Sequence, residues 1–404
     1  MRVLFTATGA RPHLYPLVPL AWAFRAAGHD VCLASTRSVA ADLRDTGLPA
    51  VVVHTEPGRD TAARNSFVET IHQQDPWPDE WAVNLHRLSD AQRRYLRRLG
   101  SVLVLGSETM VDDLVAFARQ WRPGLVVHDA VSYAGPVAAE VLGVPSVRHN
   151  FGTASVPRLE LTGTTPLPEY TRMFARYGVR VRLEPTATVD PTPPRMRLSA
   201  PGSPCFDVRY VAYNGPGALP ARLRVRDGRP RICVTWGHTS ARALGDAAAE
   251  PYRMAIDAMS SLDVEIVVVT TRSQANSLDR LPRCAWTAAA TPLQLVLPYC
   301  DLLVHQGGDG TALTAATLGV PQLAITRKPD AELVGARLAA VGIGKHLRYQ
   351  ELRADPEPEV VIRSAVRSLL TGKSWRAAAG WLRAEIERLP APAAIEPELS
   401  ALAG

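Results

Sequence analysis

The strongest chemical signal in this chain is the run His305-Gln306-Gly307-Gly308-Asp309-Gly310-Thr311, which follows an apolar stretch read as a strand and opens a helical pattern. Glycine lets backbone N–H groups approach a ligand closely. The start of a helix presents unpaired donors and the positive end of its dipole to an anion. His305 can add a ring donor and Thr311 a hydroxyl, so the string suits a diphosphate; Gly-Gly alone would suit a tight strand-to-helix turn as well. A second loop, Thr235-Trp236-Gly237-His238-Thr239-Ser240, also follows a strand and combines glycine with hydroxyls, which serves a phosphate or a plain turn. Trp286 lies upstream of a helix near Pro292, where an indole can stack on a nucleotide base or fill a core.

His13 stands where the first strand gives way to the first helix, behind a loop, residues 6–12, whose Arg11 and Pro12 would line a crevice. Imidazole titrates near neutral pH, which suits proton transfer. A histidine at a helix start also serves as a cap or a surface residue. Asp129 follows Leu125-Val126-Val127-His128 and projects from the carboxyl end of that strand toward the same crevice, unless it caps a helix beginning near Tyr133. His128 points to the opposite strand face and receives no role. The histidines lack the paired spacing with acids or cysteines that metal ligation needs, so no metal is expected.

The elements that must position these residues alternate short apolar runs with helical patterns: Val3–Ala7, an amphipathic stretch His13–Ala27 ended by Gly28, Val31–Ala34 and Ala50–Val53. That rhythm predicts a parallel sheet with crossover helices. A less regular middle, roughly 56–99, carries Phe67, Trp77, Trp81 and Tyr95 and reads as an insertion that builds a pocket. Proline and glycine gather between Pro185 and Pro230, and the rhythm then restarts at Ile232–Thr235, Val264–Val269, Leu302–Val304 and Pro321–Ile325. We therefore divide the chain into a first domain 1–210, a linker 211–228, a second domain 229–374, and a final helix and tail 375–404.

At 404 residues, with 47% hydrophobic and 21% charged residues, two folded domains are expected and disorder is not. The net charge of +6 is scattered among acids, which argues against a nucleic-acid partner and permits a phosphate-bearing small molecule. Cys32, Cys205, Cys233, Cys284 and Cys300 are odd in number and far apart, so free thiols are expected. With no leader pattern and no apolar run of membrane length, a cytoplasmic protein without a membrane anchor is expected.

The string from His305 to Thr311, with Ala315-Ala316 and Gly319-Val320-Pro321-Gln322 after it, resembles the nucleotide-sugar signature of family 1 glycosyltransferases of GT-B fold, above all the bacterial enzymes that place deoxysugars on polyketides and other natural products. The likeness extends to Arg2-Val3-Leu4-Phe5, to His13-Leu14-Tyr15-Pro16-Leu17, to Ala26-Ala27-Gly28-His29-Asp30-Val31 and to Trp121-Arg122-Pro123 with Leu125–Asp129. It implies two facing Rossmann-like domains, acceptor on the first and donor on the second, and a C-terminal helix returning to the first. It also implies that His13 is the general base and Asp129 the acid that orients it. The donor contacts expected on it are Trp236, Gly237, Thr239, Ser240, Trp286, His305, Gly307, Gly308, Gly310 and Thr311, joined by the acids Asp309, Asp330 and Glu332, where the sequence departs from the family; the acceptor contacts expected from the first loop and the insertion are Arg11, Pro12, Phe67, Trp77 and Trp81.

Two positions depart from the family pattern. Asp309 replaces a small residue, and an acid-glutamine pair reads here Lys328-Pro329-Asp330-Ala331-Glu332. Asp309 either caps its helix or, with Asp330 or Glu332, forms an acidic rim that would hold an amine on the donor sugar. The resemblance implies an inverting transfer from a TDP-deoxysugar to a hydroxyl of a natural-product aglycone, without a further cofactor and compatible with a homodimer. Attack by an aromatic carbon and a role as helper subunit of a partner transferase are the alternatives. A nicotinamide oxidoreductase is disfavoured, because Gly9-Ala10-Arg11-Pro12-His13 lacks the three-glycine spacing.

Overall fold

The computed structural model describes residues 1–54, 76–155, 157–199, 204–237, 249–276, 278 and 281–404. β1 (Arg2–Thr6) is apolar without alternation, the mark of a parallel strand covered on both faces. Val3 and Phe5 enter one core cluster and Leu4 another, since successive side chains leave a strand on opposite sides. β2 (Asp30–Ser35), β3 (Ala50–Val52), β4 (Leu125–Asp129), β5 (Ser146–His149), β8 (Ala187–Asp190) and β9 (Cys205–Asp207) join β1 in a parallel sheet of order β3-β2-β1-β4-β5-β8-β9. The small hairpin of β6 (Leu161–Thr162) and β7 (Thr165–Pro166) stands apart from it.

The second sheet repeats this logic. β10 (Arg231–Thr235), β11 (Glu265–Thr270), β12 (Ala285–Ala289), β13 (Leu302–His305), β14 (Gln322–Thr326) and β15 (Gly344–Arg348) run parallel in the order β12-β11-β10-β13-β14-β15. Ile232 and Val234 pack toward helices Ala249–Met259 and Pro358–Thr371, and Cys233 toward Leu293, Val296 and Ala315 on the other face. Strand order reverses between β1 and β4 and again between β10 and β13. At such switch points the loops leave in opposite directions and open a crevice at the carboxyl ends of the strands.

Several elements differ from the expectations drawn from sequence. The stretch expected as one helix, His13–Ala27, is broken into Arg11–Leu14, a 3₁₀ turn Tyr15–Leu17 and Val18–Ala26. Pro16 and Pro19 lack the N–H that a continuous helix would use, which explains the break. Helix Asp90–Trp121 begins inside the insertion read as irregular; its signal was a capping box, Ser89 with Gln92, hidden by a charged first turn. The return to the first domain also comes later than residue 375. Helix Lys373–Arg388 packs on the second domain through Ala379, Leu382 and Ile386, with Met196 of the first domain in the same cluster, and its Glu385 pairs with Arg195 of the first domain at 2.8 Å. Helix Pro392–Ala401 completes the crossing, placing Ile395 and Leu399 in the first core with Val18, Leu20 and Phe24. All five cysteines are free, and no helix among the described residues is long and apolar enough to cross a membrane.

Candidate active site

Both crevices gather residues expected to carry the chemistry. β1 ends at Thr6 and leads through Ala10 into helix Arg11–Leu14, whose first turn carries Pro12 and then His13. β4, hydrogen-bonded beside β1, ends at Asp129. The His13 Nδ1 lies 3.2 Å from Asp129 Oδ1, with the histidine side chain 23% exposed and the carboxylate 2%. The Val131 N–H donates to Asp129 Oδ2 at 3.2 Å, which holds the carboxylate in place. Helix Ala134–Leu142 has no side-chain cap, so Asp129 is engaged with His13 and Val131 rather than with that helix end. An Nδ1–H directed at Asp129 leaves Nε2 as the basic nitrogen. The ring of Phe151 meets His13 edge to face, centroids 5.0 Å apart.

The neighbouring histidine behaves differently. His128 is 5% exposed, its Nδ1 lies 3.0 Å from the Asp129 carbonyl, and burial pushes its pKa down to about 4. Arg11 also turns aside: its Nε donates to Asp42 Oδ1 at 2.7 Å and its guanidinium lies over Tyr15. Of the loop residues assigned to the acceptor, Pro12 stays exposed. Trp77 and Trp81 do not line an open surface. They are 5% and 4% exposed, packed with Tyr95, Leu88 and Leu333 between the two domains, and the Trp81 Nε1–H donates to the Pro329 carbonyl at 3.0 Å. Large flat rings bury more area at a domain junction than in solvent, and that tertiary partner is invisible in the local sequence. Phe67, Thr239 and Ser240 lie outside the described residues.

On the donor side, β13 runs into Gly307, Gly308 and helix Asp309–Thr317. Gly307 has φ +86°, and a Cβ there would fall 2.7 Å from Thr326 Cγ2 and 2.8 Å from the Ala331 carbonyl oxygen. Both the conformation and the space demand glycine. His305 is fully buried, and its Nδ1 accepts the Gly307 N–H at 3.1 Å. Burial pushes its pKa down to about 3. This neutral ring braces the turn through its Nδ1. Gln306 lies between the two glycine loops, its Nε2 being 2.3 Å from where a Cβ of Gly237 would sit and 2.7 Å from that of Gly308. Its Oε1 is buried without a hydrogen-bond partner among the described residues.

Further corrections concern the tryptophans and acids. Trp236 is 2% exposed in the core with Ile232 and Met259. Trp286 sits near the amino end of β12, its Nε1–H donating to Glu265 Oε1 at 2.7 Å and its ring covered by Arg222. That is the end of the sheet opposite to the crevice, too far from it to stack on a base there. Glu332 faces Arg348, its Oε2 lying 3.5 Å from Nε, and burial pushes its carboxyl up to about 7. Asp330 stays exposed at the start of helix Pro329–Ala340. Asp309 does not cap its helix, for Gly308 occupies the cap position; its Oδ1 instead faces the Ala154 N–H of the first domain at 3.4 Å. Gly310 and Thr311 complete the first turn, partly exposed.

Comparison with known proteins places this arrangement. Residues 22–237 match the description "Erythromycin biosynthesis protein CIII-like, N-terminal domain" and residues 253–402 its C-terminal counterpart. The chain is 34% identical to the aklavinone 7-beta-L-rhodosaminyltransferase of Streptomyces galilaeus, all of this chain against 96% of that protein. It is 33% identical to the 10-deoxymethynolide desosaminyltransferase of Streptomyces venezuelae, all of this chain against 97% of that protein. Among solved structures, the glycosyltransferase VinC in complex with dTDP aligns with a TM-score of 0.79 at 31% identity, over 100% of this chain and 99% of that one. The spinosyn rhamnosyltransferase SpnG complexed with thymidine diphosphate aligns with a TM-score of 0.81 at 27% identity, over 99% of this chain and 100% of that one.

Proposed function

Because the chain belongs to the erythromycin biosynthesis protein CIII-like family of glycosyltransferases, we propose that it moves a deoxysugar from thymidine diphosphate to a hydroxyl of a natural-product aglycone by direct displacement with inversion. The observation that carries this reading is the His13–Asp129 contact of 3.2 Å at the end of β1 and β4. His13 Nε2 takes the proton of the acceptor hydroxyl as its oxygen attacks the anomeric carbon. The bond from that carbon to the diphosphate oxygen breaks on the opposite face, and TDP leaves with the electron pair. The Asp129 carboxylate stabilises the imidazolium that forms. The diphosphate is received by the start of helix Asp309–Thr317, by the Gly307 and Gly308 amides and by the Gln306 side chain. No further cofactor enters the proposal.

An amine on the donor sugar is part of the same reading. Asp330 is the exposed acid at the head of helix Pro329–Ala340, and two of the similar enzymes are named for rhodosaminyl and desosaminyl transfer. Incubating the protein with a panel of TDP-deoxysugars and polyketide aglycones, with mass spectrometry of the products, tests the whole proposal. It predicts a mass gain of one sugar, larger yields with amino-deoxysugar donors, and loss of that preference in Asp330→Asn. Absence of any transfer across the panel would sink it.

A further inference from the structure

Asp309 opens a helix of the second domain, yet its carboxylate lies against the first. Besides the 3.4 Å approach of Oδ1 to the Ala154 N–H, a Cβ built on Gly152 would fall 2.3 Å from that oxygen and 2.6 Å from Asp309 Cβ. Gly152 has φ +150°, so conformation and space both require glycine there. The loop that receives Asp309 is firmly tied. Arg148 Nη2 donates to the Ser155 carbonyl at 2.7 Å, and Ser155 Oγ accepts from the N–H groups of Phe151 at 2.8 Å and Gly152 at 3.1 Å. Thr153 Oγ1 donates to the Met196 carbonyl at 3.1 Å. Phe151, the residue directly before Gly152, is the one whose ring abuts His13.

We propose that Asp309 is a positioning residue that couples closure of the donor domain to the base: when the start of helix Asp309–Thr317 seats on Gly152 and Ala154, the 150–155 loop holds Phe151 against His13 and keeps the imidazole aligned with Asp129. The proposal rests on the reading of His13 as the base. Its logic is that the donor for the Asp309 carboxylate comes from the other domain. The contact therefore exists only while the cleft is closed, as a closure-dependent contact must. Misplacing a base by about 1 Å can cost on the order of 100-fold in rate, so a short loop is a sufficient transmitter.

The experiment compares Asp309→Ala, Asp309→Asn and Gly152→Ala with wild type in kcat, in TDP affinity by calorimetry, and in small-angle scattering with and without TDP. Asp309→Ala is expected to lower kcat by ~10- to 100-fold, to bind TDP more weakly by the share that closure contributes, and to remain more open than wild type when TDP is bound. Asp309→Asn, which keeps an acceptor for the Ala154 N–H, is expected to recover most of the rate, and Gly152→Ala to reproduce the loss. Wild-type kcat in Asp309→Ala, or equal compaction of the two proteins on TDP, would overturn the proposal. So would an Asp309→Asn as slow as Asp309→Ala, which would assign the carboxylate to charge recognition of the sugar amine. Scattering needs no transfer, so it decides the closure contact even if His13 proves not to be the base.

Discussion

At the residue scale, the proposed proton transfer is divided between His13, which would move the proton, and Asp129, which is 2% exposed and would fix the ring. On the proposed function, His13→Ala should cut transfer ~100- to 10,000-fold and leave calorimetric TDP affinity nearly unchanged, because the donor would be held by the other sheet. Turnover near wild type would remove the base from the mechanism. Asp309 carries a pH consequence. Burial, with Asp330 and Asp190 adding negative charge, pushes its carboxyl up to about 7 against the opposing pull of the Ala154 and Thr153 N–H groups. A carboxyl whose pKa is raised on folding binds its proton more tightly in the native state. Its stabilising share is therefore complete below the ordinary carboxylate range and is lost as pH rises toward 7. Asp309→Asn does not titrate, so its melting temperature relative to wild type should rise between pH 5 and pH 8. An unchanging difference across that interval would contradict this account.

At the scale of elements, the donor loop depends on a glycine that no other residue can replace. Gly307→Ala would impose a left-handed non-glycine conformation, roughly 1–2 kcal/mol unfavourable, and press a methyl group against the Ala331 carbonyl. TDP binding should weaken about tenfold or more, since 1.4 kcal/mol corresponds to a factor of ten, with far-ultraviolet circular dichroism preserved. Wild-type TDP affinity in this variant would show that the turn does not shape the phosphate site. The first-domain counterpart is built by prolines. Pro12 lies in the first turn of helix Arg11–Leu14, while Pro16 and Pro19 interrupt the chain between Tyr15 and Ala26, so His13 sits on a short separate turn facing Asp129.

At the scale of the whole molecule, the two domains are tied by Trp81 to Pro329, by Asp309 to the 150–155 loop and by the last helix. Leu399 is fully buried in the first core although it comes after the entire second domain in the chain. Leu399→Ala should cost ~2–5 kcal/mol in the first domain and lower its melting temperature by several degrees. Unaltered melting would mean that the final helix is not integral to that core.

The strands, their parallel rhythm and the glycine-rich loop after β13 were legible in the sequence because each is set by short-range rules: apolar runs for strands buried on both faces and glycine where φ is positive; the contact of His13 with Asp129 was expected from the family resemblance, on residues placed at the carboxyl ends of neighbouring strands. Residues whose roles depend on distant partners were not. Trp77 and Trp81 look like pocket aromatics until Leu333 and Pro329 of the other domain cover them. Trp286 looks like a base-stacking ring until its pairing with Glu265 places it at the wrong end of the sheet. Asp309 reads as a helix cap until Gly308 takes the cap position and the Asp309 carboxylate meets Ala154 of the other domain. The physical reason is the same in each case. A side chain's chemistry is local, but its burial and its partner are fixed by which surfaces the folded chain brings together, and that was decided only by the packing of one domain on the other.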